Sequence, residues 1–226
     1  MPFNWGTTAL LVRADLFEGE ITSWNDLWSP QFSGKIALRD EPREPFGLTL
    51  KILGFSVNSE NPDELGQALE YLLEIKDKVV FVGGYAEGAV SLLAKGEVVA
   101  LVGWANDALF AREKNVTLSY VYPSEGAMLW GDNFVIPANS PRQYTAEIFL
   151  NFLLRPEIAA QIVNENYYAT PNEAASAYID PELLEDSVIF PASSDLQNAE
   201  VLLPLSPTGS ALYNKMWEQF KSALEE

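Results

Sequence analysis

Neither cysteine nor histidine occurs in the 226 residues, and basic residues are scarce: 14 Lys and Arg stand against 32 Asp and Glu, a formal net charge of −18. The two zeros remove a thiol nucleophile, a Ser-His-Asp triad, any thiolate or imidazole metal site and any disulfide framework. Carboxylate, hydroxyl, lysine and aromatic chemistry is what remains. The scarcity of base argues against a nucleic-acid partner, because phosphate binding depends on Lys and Arg neutralising the backbone, and no basic stripe runs along this chain. Cationic or neutral ligands suit the composition better. No apolar stretch reaches the ~18 residues of a membrane-crossing helix, and the opening Met1-Pro2-Phe3-Asn4-Trp5 lacks the basic-then-apolar order of a signal peptide. A hydrophobic fraction of 48% with 20% charged residues is globular in character and sufficient for one large domain or two small lobes.

What is present is an alternation of strands and helices. Thr8 to Val12 reads as a buried strand, and Thr22 or Ser23 caps a brief helical turn through Trp28. Lys35 to Leu38 is the next strand, and the charged stretch Arg39-Asp40-Glu41-Pro42-Arg43-Glu44-Pro45, with its two prolines, reads as a loop at that strand's end. Helices are expected over 46–54, over 62–76 behind the Asn61-Pro62 start, and from Ala86 to Ala94 before Gly96. Strands are expected at Val79–Val82 and Val98–Gly103, the latter delivering Trp104 to its end. A helix over 108–114, a strand over 117–121 and a second extended run from Met128 to Pro137 follow. This β-α-β-α-β order predicts an α/β fold with a mainly parallel or mixed sheet. Past Asn139-Ser140-Pro141, the spacing of Ile148, Phe149, Phe152 and Leu153 marks the strongest helix, which Pro156 interrupts and restarts. A short small-residue helix after Thr170-Pro171-Asn172 and an amphipathic helix over 210–224, with Leu212, Met216, Trp217 and Phe220 on one side, complete the chain.

Several residues stand out, each with two readings. Glu41 and Glu44 are either a solvated acidic loop with Arg43 as internal partner or a pair placed for an external cation. Asp132 after Trp130-Gly131 fits a turn, and Trp104 fits an ordinary core position. Trp24 and Trp28 read as packing residues beneath a surface turn.

The order of short signatures carries a resemblance. Phe3-Asn4-Trp5-Gly6-Thr7-Thr8, Ser23-Trp24-Asn25-Asp26-Leu27-Trp28, Asp40-Glu41-Pro42-Arg43-Glu44, Trp130-Gly131-Asp132, Ile136-Pro137-Ala138, Asn151-Phe152-Leu153-Leu154-Arg155-Pro156 and Ala169-Thr170-Pro171-Asn172 occur in one order over nearly the whole chain. Together they resemble the spermidine/putrescine-binding proteins of bacterial polyamine ABC transporters. That resemblance implies a periplasmic-binding-protein-like, two-lobed α/β fold with the second lobe nearly complete and the first partial. It divides the chain into 7–127 (second lobe), 128–178 (partial first lobe with a crossing strand) and 179–226 (a segment returning to the second lobe). It implies Glu41, Glu44, Trp104, Trp130, Asp132 and Tyr168 as ligand positions, no metal and no cofactor. Where family members carry a late glutamine, Leu202 or a neighbour falls here.

The residue types suit a polyamine: carboxylates meet ammonium heads, aromatic rings add roughly 0.5–2 kcal/mol each as cation–π partners, and each buried spacer methylene contributes about 0.8 kcal/mol. The implied role is substrate capture for a membrane permease in the periplasm, by a binding protein and not an enzyme. Because the resemblance begins at the Trp-Gly-Thr crossing, a shortened first lobe is expected, with the apolar face around Phe149 and Phe152 left exposed or covered by another copy. The alternatives are a binder of another small solute such as iron or a thiamine-like cation, and a fragment that only self-associates. A glycosidase using Glu41 and Glu44 is disfavoured, since both lie on one loop and not across a sugar.

Overall fold

The computed structural model describes residues 1–83, 88–114 and 116–225. The chain forms two compact units, Thr7–Leu129 with Ser193–Glu226, and Met1–Gly6 with Trp130–Ala192. Strand β1 (Pro2–Arg13) therefore contributes its beginning to the smaller unit and its remainder to the larger.

In the larger unit β2 (Ile36–Arg39) lies parallel to both β3 (Val79–Gly83) and β4 (Ala100–Trp104). Ile36, Ala37 and Leu38 are all buried, as a parallel strand covered on both faces requires. β1 runs antiparallel to β4, with Thr8 opposite Trp104 and Val12 opposite Ala100, and antiparallel to β5 (Leu118–Val121). The sheet is thus mixed, as the alternation predicts. Between β2 and β5 run the helices α1 (Arg43–Ile52), α2 (Pro62–Leu73), α3 (Ala89–Lys95) and α4 (Ala105–Glu113). The expected start of α3 at Ala86 lies outside the described residues. Gly96 closes α3 at φ 75°, a left-handed position that glycine adopts without a Cβ penalty.

One expectation is corrected here. Residues 43–45 are not loop but the first turn of α1. Pro45 is tolerated because the first-turn N–H groups of a helix have no intrahelical partner to lose. The charged stretch after β2 is consequently only three residues long, and it hands Glu44 directly to a helix whose face is buried.

The core of this unit gathers Leu10, Leu38, Phe46, Leu50, Leu65 and Leu72 around the residues that α8 (Pro207–Leu224) brings back from the C-terminal segment. Tyr213, Trp217 and Phe220 are the buried aromatic residues there, so the apolar stripe is turned slightly from that read from the sequence, and Leu212 and Met216 sit at its edge. Trp24 is fully buried and donates its indole N–H to the Gly126 carbonyl at 3.0 Å; Trp28 stacks on Tyr71 with ring centroids 4.7 Å apart. Both are packing residues. Gly126 itself stands at φ 101°, where a Cβ would collide with the Asn198 backbone.

The smaller unit contains the start of β1, most of β6 (Met128–Asn133), α5 (Gln143–Leu153), α6 (Pro156–Asn166) and α7 (Pro181–Leu184). β6 stops at Asn133, short of the extended run expected to Pro137: the Phe134 N–H still reaches the Met1 carbonyl at 2.9 Å, but Val135 is 82% exposed and Pro137 has no N–H to offer. The small-residue helix expected after Asn172 is a 3-10 turn over Glu173–Ala177. Ala159, Ala160, Val163, Ala175 and Ile179 form a compact cluster with Leu183, Leu184 and Phe190. Residues 179–192, read from the sequence as part of the returning segment, thus stay with this unit. Helix α5 buries no residue, and Tyr144, Ile148 and Phe149 stand exposed along it.

Candidate ligand-binding site

The larger unit carries a buried charge cluster at the strand ends. Arg39 is the last residue of β2, Glu44 the second of α1, Trp104 the last of β4, and Asp107 lies in the first turn of α4. Topology puts them together, because the parallel strands β2 and β4 are neighbours and deliver their C-terminal ends to the same edge. Thr8 faces Trp104 in the β1–β4 register, which adds a hydroxyl from a third strand.

Glu44 is 2% exposed. One of its oxygens, Oε1, accepts from Thr8 Oγ1 at 3.0 Å and from Trp104 Nε1 at 2.5 Å. The other, Oε2, accepts no hydrogen bond among the described residues and has Arg39 Nε 3.9 Å away. Arg39 donates through Nη2 to Asp107 Oδ2 and lies over the Trp104 ring, its guanidinium carbon 3.6 Å from the ring centroid. Asp107 Oδ2 also accepts the Trp104 backbone N–H at 2.9 Å, while Gly103 leaves room for that carboxylate, since a Cβ there would sit 2.8 Å from it. Two buried carboxylates therefore share one guanidinium. Burial pushes the Glu44 carboxyl up to about 7, against the opposing pull of Arg39 and the hydrogen bonds from Trp104 and Thr8. A carboxylate so placed gains from a further cation, because the one guanidinium near it is shared with Asp107.

Glu41 is solvent-exposed just ahead of α1. Among the described residues Arg43 makes no ion pair or hydrogen bond with Glu41 or Glu44, though the Glu41 charge acts on it: it donates to the Leu203 carbonyl at 2.8 Å and to Asn58 Oδ1 at 2.9 Å. Neighbouring Asp40 is engaged by the Trp217 indole at 2.6 Å and by Lys221 at 3.2 Å, which hold it below its usual range. Leu202 is partly buried against the core.

The smaller unit carries Trp130, Asp132 and Tyr168. Trp130 and Asp132 lie on β6, so Asp132 belongs to a strand and not to a turn, and it is exposed. Tyr168 meets the Trp130 ring edge-on at 5.2 Å. The preceding Tyr167 takes the left-handed position that ends α6, at φ 61°, and the Tyr168 N–H is held by Asn166 Oδ1 at 3.0 Å. Gly6 explains the Trp-Gly pair of β1: a Cβ there would lie 2.5 Å from Trp130 Cζ2. Replacing Gly6 by Ala is expected to displace the Trp130 indole, read as a changed tryptophan fluorescence maximum with unchanged far-ultraviolet dichroism; an unchanged maximum contradicts this account.

Sequence reading misses Arg39, Asp107 and Thr8. The available signals are a charged residue ending an apolar strand and an acid three residues beyond the end of the next parallel strand. Among the described residues, no group of three or more Asp or Glu side chains is arranged to hold a metal ion, and no helix is long and apolar enough to cross a membrane.

In open α/β sheets, ligands bind outside the carboxyl ends of the strands, which is where these acids and Trp104 stand. The chain belongs to the family of bacterial extracellular solute-binding proteins, whose family model matches residues 1–192. It is similar to the spermidine/putrescine-binding periplasmic protein of Escherichia coli, at 32% identity over 98% of this chain, and spans 63% of that protein's length. To the putrescine-binding periplasmic protein PotF of the same organism it is 29% identical over 98% of this chain and 64% of that protein. Among solved structures, a chain of Listeria monocytogenes described as a spermidine/putrescine ABC transporter superposes with a TM-score of 0.90 at 33% identity, over 98% of this chain and 68% of that one. The substrate-binding protein PotD of Streptococcus pneumoniae gives 0.84 at 30% identity, over 99% and 69%. The α/β fold is thus that of the periplasmic binding proteins, represented over part of its length.

Proposed function

We propose that the chain is the substrate-binding component of a polyamine ABC transporter, taking up putrescine or spermidine outside the cytoplasmic membrane and passing it to a permease, without catalysing a reaction. The observation that carries this reading is Glu44: a carboxylate buried beside Trp104, in a cluster with one positive and two negative side chains, where a ligand ammonium supplies the missing charge. Trp104 offers a surface for methylenes, and Glu41 a second acid at the rim. Trp130, Asp132 and Tyr168 are the ligand positions assigned to the smaller unit. The names of the relatives point to the same class of solute. In the domain division proposed, the larger unit corresponds to the second lobe and the smaller to part of the first.

Calorimetric titration with putrescine and spermidine at about 0.15 M salt, where charges are screened beyond ~8 Å, tests the reading, with magnesium as control. Saturable one-to-one binding that magnesium does not reproduce is expected. Absence of binding, or equal binding of magnesium, overturns it.

The bare apolar face of α5 favours a second reading, in which the chain self-associates and binds no ligand. A concentration-dependent mass in sedimentation equilibrium together with a silent titration would select it.

A further inference from the structure

The acids and rings that meet a ligand explain only half of the buried cluster; Arg39 and Asp107 face inward and are left without a role. Arg39 is 5% and Asp107 1% exposed, and the two pair their charges with each other, whereas Glu44 Oε2 accepts no hydrogen bond among the described residues. Yet each is tied to a residue of the ligand wall: Arg39 to the Trp104 ring and the Glu44 carboxylate, and Asp107 to the Trp104 backbone. A cation deep beneath an ammonium site is electrostatically adverse unless its own charge is compensated elsewhere, and here Asp107 compensates it.

We propose that the Arg39–Asp107 pair is a positioning device for the ligand wall, clamping the Trp104 ring from its buried side and holding Glu44 as the anion that meets an incoming ammonium. The proposal rests on the cation-binding reading of this wall. Arg39 fits the task better than lysine would, because a planar guanidinium lies over the indole and still donates to Asp107 while its charge faces Glu44 from 3.9 Å. With Arg39 already stacked on Trp104, the ring's attraction for a second cation is weakened. That ring therefore receives the methylene chain, and the ammonium goes to Glu44.

The groups facing Glu44 set its protonation: Arg39 from β2, Thr8 from β1, Trp104 from β4 and Glu41 ahead of α1, with Asp107 of α4 and Tyr120 of β5 in the same cluster. Arg39 is the positive member, and without it Glu44 takes up a proton at higher pH. The Trp104 indole N–H, bonded to Glu44, reports this directly and without ligand.

The experiment follows the Trp104 indole resonance, identified by its loss in Trp104→Phe, from pH 5 to 9 in the native chain, in Arg39→Gln and in the double variant Arg39→Thr/Asp107→Ser. Putrescine titrations at pH 7 and pH 8.5 accompany each. Expected is a native midpoint near 7 and a higher midpoint in both variants. Their affinity at pH 7 should fall about fivefold for the first pH unit by which the midpoint rises and about tenfold for each further unit, and the part of the loss due to Glu44 should be regained at pH 8.5. Should Arg39→Gln fail to fold, the double variant, which removes both charges together, provides the same readings. An unchanged midpoint in a folded variant overturns the proposal, as does an affinity at pH 7 that stays native although the midpoint has risen. If the native chain binds no polyamine while the indole midpoint still moves, the polyamine reading fails and the positioning of Glu44 and Trp104 by Arg39 stands.

Discussion

Glu44→Gln is expected to abolish measurable polyamine binding and at the same time to make the protein more stable at neutral pH. The two effects have one cause. Burial raises the Glu44 carboxyl to about 7, so the fold favours its protonated form. The folded state then binds more protons than the unfolded one between the ordinary glutamate range of ~4.3 and about 7, and stability falls as pH rises through that window. Above it, the ionised side chain costs on the order of 3 kcal/mol, which an isosteric amide does not incur. The melting temperature of Glu44→Gln should therefore exceed that of the native chain at pH 8 and coincide with it near pH 4. Equal melting temperatures at pH 8 would show that Arg39 and the two hydrogen bonds fully compensate the burial, and retained affinity would remove Glu44 from the site. A residue that weakens its own fold is readily understood only as a group kept for a ligand.

The second large effect concerns Asp107. Removing one member of a buried ion pair leaves an uncompensated charge and costs ~3–5 kcal/mol, whereas removing both members is often near neutral. Asp107→Ser alone leaves Arg39 with Glu44 at 3.9 Å as a poor substitute, so a loss of about 3 kcal/mol is expected, at the lower end of that range. Arg39→Thr/Asp107→Ser should lose clearly less than the single variant. Urea unfolding of both decides the matter, and a double variant no more stable than Asp107→Ser would mean that Arg39 packs rather than pairs. The Gly103 contact adds a local reason for the size of the effect, since the strand backbone approaches the Asp107 carboxylate too closely for any side chain to fill the space.

Much of the fold is legible in the sequence because its signals are local. Gly96 after an apolar helical stretch, Asn61-Pro62 before one, and the uninterrupted apolar stretch of β4 each specify an element without reference to the rest of the chain. Sequence and structure part where a local sign has two meanings. Pro45 reads as a helix breaker, but in a first turn it costs no hydrogen bond. Arg43 reads as the partner of its sequence neighbours, but the helix turns it toward Asn58 and Leu203, 15 and 160 residues away along the chain. The candidate site shows the same split. Glu44 and Trp104 stand in recognisable short motifs. Arg39 and Asp107 do not stand out, because their pairing depends on β2 and β4 being neighbours, and no periodicity within either strand reveals that.

The larger unit takes Tyr213, Trp217 and Phe220 from α8, the last helix described. That arrangement bears on how the protein is made. β1 leaves the ribosome long before α8 does, so the hydrophobic core cannot close while the intervening chain is being translated. Until α8 emerges, Leu10, Phe46 and Leu65 have no complete burial to enter. At synthesis rates of ~5–20 residues per second, that wait lasts on the order of tens of seconds. Through that interval the apolar side chains that α8 covers in the folded chain are without that cover.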